Sequence, residues 1–297
     1  VQINGVEIED TFAEAFGMYG ARVLITAKNE RWALHAARSM TGFATSVIAC
    51  GCEAGIENLV GADETPDGRP GVNVLIFTVS EKSLEEQLLN RIGQCIMTSP
   101  TSACFNNLKG EKMVSVGKKL RFFGDGFQVS KLLGERRFWR IPVMEGEFLV
   151  EESFGLQGAV GGGNFLILAK NVDSALEASE RAVEAIGRVK NVIAPFPGGV
   201  VRSGSKVGSK YKFLKASTNI AYCPTIRALV KSELPREVNS VLEIVIDGLD
   251  EESVKKAMRV GIEAACTVDG VAKISAGNYG GKLGKYLIYL HKLFEGG

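Results

Sequence analysis

One glutamate stands where carboxylates are uncommon. Glu243 lies inside "VLEIVI" (241–246), a run that reads as a strand. Side chains alternate across a strand, so Glu243 shares a face with Val241 and Val245, while Leu242, Ile244 and Ile246 take the other. Pattern alone leaves two readings open. The carboxylate either stands on a wetted sheet face or is partly desolvated. Desolvation disfavours the charged form and raises the pKa toward neutrality, which suits a general acid–base. Three glycine-rich passages accompany it: "VGGGN" (160–164), "PFPGGVVRSGSKVGSK" (195–210) and "SAGNYGGKLGK" (275–285). Each lies beside a predicted strand, and the last two carry Lys or Arg. Glycine permits positive φ and lets backbone N–H groups approach a ligand closely. Turn chemistry is the competing reading of the same loops.

Other chemistries are poorly supplied. No passage matches the phosphate loop ending in Gly-Lys-Ser/Thr, and "VGGGNF" precedes a strand where a dinucleotide fingerprint must open a helix. Cys50 and Cys52 form a C-x-C at a predicted strand end. A metal site needs about four ligands, and the chain has only His35 and His291 to add, so the cysteines read as core thiols. Two histidines give little for a Ser–His or Cys–His nucleophile. His35 sits in a predicted helix with packing neighbours, and His291 lies near the C-terminus.

The elements that must position these residues show clear periods. "SLEEQLLNRIGQCI" places Leu84, Leu88, Ile92 and Ile96 on one helix face. "NVDSALEASERAVEAIGRV" does so through Val172, Leu176, Ala182, Val183 and Ile186. "LDEESVKKAMRVGIEAAC" does so through Val254, Met258, Ile262 and Ala265, and "NERWALHAARSM" is a shorter helix. Strands are predicted at 21–27, 43–50, 71–79, 164–169, 190–196, 240–247, 270–275 and 285–290, with "RFWRIPV" and "EGEFLVEESF" adding two near the middle. Each half thus holds two strand–helix units. This order predicts an α+β protein of two ferredoxin-like (βαββαβ) lobes with mainly antiparallel sheets, spanning 1–150 and 151–297.

Composition narrows the class. The 297 residues are 45% apolar and carry a formal net charge of +1. A near-zero charge and the lack of an RNP signature argue against a nucleic-acid partner. No apolar run reaches the roughly 18 residues a spanning helix needs, so no membrane partner is expected. An acidic N-terminal stretch and scattered cysteines predict a cytoplasmic protein with reduced thiols.

The chain also resembles a known family. "INGVEIEDTFAEAF", "ETPDGRPGV", "RIGQC", "FFGDG", "GEFLVEESFG", "APFPGG", "SKVGSK", "ASTN", "AYCPT", "EIVI", "MRVGIEAAC" and "KISAGNYGGKLG" are similar, in this order, to the formylmethanofuran:tetrahydromethanopterin formyltransferases of methanogenic and related archaea. The resemblance implies a homotetramer built as a dimer of dimers, with an active site at a subunit interface and no cofactor. It implies reversible transfer of a formyl group between the amine of methanofuran and a ring amine of tetrahydromethanopterin. The family's acid–base glutamate matches Glu243. Both carriers have anionic tails, and Arg202, Lys206, Lys210, Lys282 and Lys285 are the candidate partners by charge and loop position. Gly198, Gly199, Gly277, Asn278, Gly280 and Gly281 are the loop residues expected to meet substrate. Salt-requiring members of the family are strongly acidic, whereas this chain is nearly neutral, so salt-dependent assembly is not expected. A non-catalytic one-carbon pterin-binding paralogue is the other reading of the same residues.

Overall fold

The structure is a computed structural model and describes residues 1–295. The chain folds as a mixed α+β protein with mostly antiparallel strands in two compact units. One comprises Val1–Gly17 with Val160–Gly297, the other Met18–Ala159. The division differs from the expected one at 150. It falls inside the continuous 17-residue strand Ser153–Ala169, just before Gly161–Gly163, which here continue the strand. Gly296 and Gly297, the end of the expected second lobe, lie outside the described residues.

In the unit Met18–Ala159 the strand order is Cys52–Val60, Gly71–Thr78, Phe12–Thr26, Ala103–Asn106, with every neighbour antiparallel. The helices Glu30–Thr41 and Glu81–Arg91 follow the first and third of these strands in sequence. Ala33, Ala37, Met40, Leu84 and Leu88 from the helices meet Val23, Ile25, Val74 and Ile76 from the sheet in one buried cluster.

In the other unit the order is Val192–Ile193, Ser240–Gly248, Ser153–Ala169, Val271–Ser275, again antiparallel throughout. The helices Val172–Ile186 and Glu251–Ala265 pack on one face. Their Ala178, Ala182, Ile186, Val254, Met258 and Ile262 cover Phe165, Ile167, Ile244, Ile246 and Ile274. The N-terminal segment joins this unit from both sides of its first turn. Val6–Ile8 adds a parallel strand beside Val271–Ser275, and Phe12–Ala15 pairs with Tyr286–Tyr289.

Three elements depart from the sequence expectation. Residues 43–50 form only a two-residue strand and a one-turn helix, Val47–Cys50, and the long strand follows at Cys52–Val60. Ile48 is 88% exposed; β-branched residues favour strands chiefly by packing, and here no surface covers them. The strand expected at 190–196 shrinks to Val192–Ile193 because Pro195 and Pro197 have no N–H to donate. On the helix Val172–Ile186, Val172 and Leu176 are exposed while Ala175, Ala178 and Ser179 are buried. Small residues face the neighbouring helix, so the buried stripe is shifted from the bulkiest side chains.

Every helix of ten or more residues starts on a side-chain cap: Asn29, Ser80, Asn171 and Asp250. Asp250 accepts from the Ser253 N–H at 2.7 Å and from the Ser253 hydroxyl at 2.8 Å. Asp250→Ala is expected to remove about 1–2 kcal/mol of stability. Urea unfolding followed by circular dichroism should show a lower midpoint with an unchanged slope.

Candidate functional site

Glu243 sits in the middle of the strand Ser240–Gly248, on the face opposite the helices. Its register partner is Leu166, which in turn faces Ser275 on the next strand. Leu166 and Leu168 form a small apolar cluster with Val238, with Tyr222, Leu234 and Val241 packed against it. The carboxyl is therefore half-buried among apolar neighbours. Burial pushes it from 4.5 up to about 7. Of the two readings open from sequence, desolvation is the one the packing supports.

The loop after Pro197 is pinned to this glutamate by the main chain. Val201 N–H donates to the Glu243 carbonyl at 2.8 Å, and Glu243 N–H donates to the Val201 carbonyl at 2.9 Å. The short 3-10 turn Pro197–Gly199 leads into that bridge. Gly199 adopts φ +79°, and a Cβ there would stand 2.7 Å from Val183 Cγ2, so this glycine serves close packing. Gly198 is exposed beside it. Arg202 follows Val201 directly and is exposed, Lys206 lies in the two-stranded ribbon Lys206–Val207/Ala216–Ser217, and Lys210 is exposed beyond it.

The loop 276–284 begins at the end of the strand Val271–Ser275 and wraps around a buried carboxylate. Glu14 is 1% exposed. Its Oε2 accepts from the N–H groups of Tyr279 (2.6 Å) and Gly281 (2.9 Å), and its Oε1 from those of Leu283 (2.6 Å) and Gly284 (2.5 Å). Burial by itself would raise the Glu14 pKa, but the four backbone donors outweigh it and hold the carboxyl below its ordinary value. Gly280 and Gly281, both at φ +71°, turn successive N–H groups inward. At the loop's entry the Asn164 carboxamide accepts from Gly277 N–H at 2.6 Å and donates to the Gly277 carbonyl at 3.1 Å. Asn278 donates to the Phe12 carbonyl at 3.2 Å and accepts from Gly280 N–H at 3.0 Å. The N–H groups of Gly277, Gly280 and Gly281 are thus engaged inside the protein. Outward the loop offers exposed Asn278, Lys282 and Leu283 and the half-buried Tyr279 ring, with exposed Lys285 just beyond it.

Tyr279 joins the two glycine loops. The Ser205 side chain lies near its hydroxyl, and its ring stands 6.1 Å from that of Phe16. Burial, with the Glu243 charge nearby, raises the Tyr279 pKa above its ordinary 10.0, so the phenol stays protonated. Glu243, the 195–210 loop and the 275–285 loop are therefore brought to one place.

The histidines and cysteines lie elsewhere in the design. His35 is exposed and stacks at 5.4 Å on Trp32, so it does not pack into the core as expected. His291 is tied down, with Nε2 donating to the Ile8 carbonyl at 2.8 Å. All six cysteines are free thiols, and burial pushes Cys52 up to about 11. Among the described residues no three His, Cys, Asp or Glu side chains converge as a metal site. No described helix is long and apolar enough to cross a membrane.

A family model described as formylmethanofuran-tetrahydromethanopterin formyltransferase matches residues 1–143, and one described as its proximal lobe matches residues 146–293. This chain belongs to the formylmethanofuran–tetrahydromethanopterin formyltransferase family. The formyltransferase of Methylococcus capsulatus is 60% identical over 98% of this chain and 99% of its own length. That of Methanosarcina barkeri is 57% identical over 99% and 100%, and its solved structure superposes with a TM-score of 0.95 at the same coverage. The formyltransferase/hydrolase complex of Methylorubrum extorquens, solved with methylofuran, gives a TM-score of 0.97 at 49% identity, covering 99% of each chain.

Glu14, Tyr279, Asn164 and Ser205 were not singled out by sequence. Glu14 does carry a signal, since it alternates with Phe12 and Phe16 and is flanked by Ala13 and Ala15. Its partners, however, lie 265 to 270 residues away.

The two glutamates make opposite contributions to stability against pH. Glu243, with its folded pKa raised, adds stability that is complete below about 4.5 and lost as pH rises through about 7. Glu14, with its folded pKa lowered, adds stability present above 4.5 and lost as pH falls. Denaturation midpoints from pH 4 to 8 should therefore show Glu243→Gln losing the decline near neutrality while keeping the acid-side loss.

Proposed function

We propose that this chain transfers a formyl group between formylmethanofuran and tetrahydromethanopterin, with Glu243 as the acid–base. The carrying observation is a single carboxyl, half-buried and raised to about 7, set beside two ligand-sized loops in a chain of this family. In the forward direction a ring amine of the pterin attacks the formamide carbon. A C–N bond forms, the carbonyl electrons move to oxygen, and the attacking nitrogen gives up a proton. Collapse of the tetrahedral intermediate breaks the bond to the methanofuran nitrogen, which must leave protonated. A carboxyl near pH 7 is populated in both forms, so Glu243 can take the first proton and deliver the second. The reverse reaction uses the same steps in opposite order.

The loops fit the rest of the task. Orienting two large carriers removes most of the entropic barrier to their reaction. Exposed Arg202, Lys210, Lys282 and Lys285, with half-buried Lys206, suit the anionic tails. The exposed Gly198, Gly280 and Gly281 let the main chain run close to a bound carrier, and exposed Asn278 stands among them. The reaction balances with the two carriers alone, so no resident cofactor is invoked. The Methylorubrum extorquens relative was solved in complex with methylofuran, which supports a furan-bearing carrier as the formyl donor here. The strand orders suit ferredoxin-like lobes, and we place the protein in the cytoplasm as a homotetramer.

Purified protein should convert formylmethanofuran and tetrahydromethanopterin to the formylated pterin without additives. Glu243→Gln should lower kcat by roughly 10²–10⁴-fold with KM nearly unchanged. Wild-type turnover in that variant would remove Glu243 from the chemistry. Lys282→Ala should behave in the opposite way, raising KM, more so at low salt, with little change in kcat.

A further inference from the structure

A buried carboxylate that touches no side-chain cation needs an explanation, and the hydrogen bonds of Glu14 supply one. Four N–H groups from one eight-residue span, 277–284, converge on its two oxygens at 2.5–2.9 Å. An array of inward-turned N–H groups is an anion-binding concavity. Here the anion is built into the chain and comes from the N-terminal strand. The concavity is therefore already filled, and the loop's shape depends on the filler. Tyr279 provides the first of the four donors, so its Cα is fixed by Glu14 directly. Its ring then reaches Ser205, and its charge environment includes Glu243.

We propose that Glu14 is a positioning residue for the formyl transfer, holding the 277–284 loop so that Tyr279 closes the pocket around Glu243. The inference rests on the reading of Glu243 as acid–base, and it adds a residue that touches neither carrier. The titratable groups meeting here are Glu14 from the N-terminal strand, Glu243 from the sheet and Tyr279 from the loop. Lys285 follows the loop, with its Cδ 3.9 Å from where a Gly17 Cβ would be. An amide cannot replace Glu14, because its NH2 group would face two N–H donors. Aspartate keeps both oxygens and the charge but withdraws them by one methylene.

Glu14→Gln is expected to lower kcat by at least about tenfold. It should also move the pH–rate limb that belongs to Glu243 downward from about 7, because a displaced Tyr279 lets water reach the carboxyl. Amide exchange at 279–284, read by mass spectrometry, should quicken. Glu14→Asp should fall between wild type and Glu14→Gln in all three, and it decides the matter if Glu14→Gln does not fold. A folded variant with faster exchange but wild-type kcat and an unmoved limb would show that Glu14 serves stability alone and overturn the proposal. Glu243→Gln is run in parallel. If that variant keeps the limb, the reading of Glu243 fails, and the exchange data still report separately on whether Glu14 holds the loop.

Discussion

The structure of the site turns on an electrostatic constraint. A carboxylate removed from water must find donors, and Glu14 finds them in the main chain of a glycine-rich loop. Such charge-assisted bonds are roughly twice as strong as neutral ones. They bind the N-terminal strand to the C-terminal loop. Glu243 presents the inverse situation. It too is withdrawn from water, yet burial is not offset by donors, and its proton is held more tightly as a result. Two glutamates in one unit thus have opposite charge preferences, set by what surrounds them. One is held ionised by main-chain donors, and the other is held toward its neutral form by burial.

The sheet makes this division possible. Ile244 and Ile246 anchor the strand against the helices, which fixes the opposite face for Glu243 with no freedom to rotate away. A one-residue slip would exchange the faces and bury the carboxylate under the helices. The antiparallel pairing from Ala169/Ser240 to Asn164/Val245 guards against that slip. The helix caps and the small residues on Val172–Ile186 keep the supporting layer close to the sheet.

Much of this was legible in the sequence, and the failures share a cause. Periods of 3.6 and 2 located the helices and most strands because burial on one face imposes them. Glu243 was legible for the same reason, as a break in an apolar run. The strand over 43–50 was misread because local propensity says nothing about whether a surface will cover Ile48. For the loop glycines, sequence shows φ freedom but not which acceptor lies opposite, which is why both readings stayed open. Gly281 faces Glu14 and Gly277 faces Asn164, and both partnerships depend on long-range folding. The compact units meet at Ala159/Val160, within a strand that runs from one into the next.

The segment around Val201 has a bearing on how the protein avoids misassembly. Along the outer rim of the Ser240–Gly248 strand, Val192–Ile193 pairs at one end and Val201 bridges at Glu243. An open rim of this kind is a template for intermolecular strand addition. Pro195 and Pro197, followed by a turn, cross it with few free donors and no regular ladder. The same irregular segment that borders Glu243 therefore denies that rim to foreign strands. Straightening it by replacing both prolines would trade a guarded border for an adhesive one, a cost borne in solubility before it is felt in turnover.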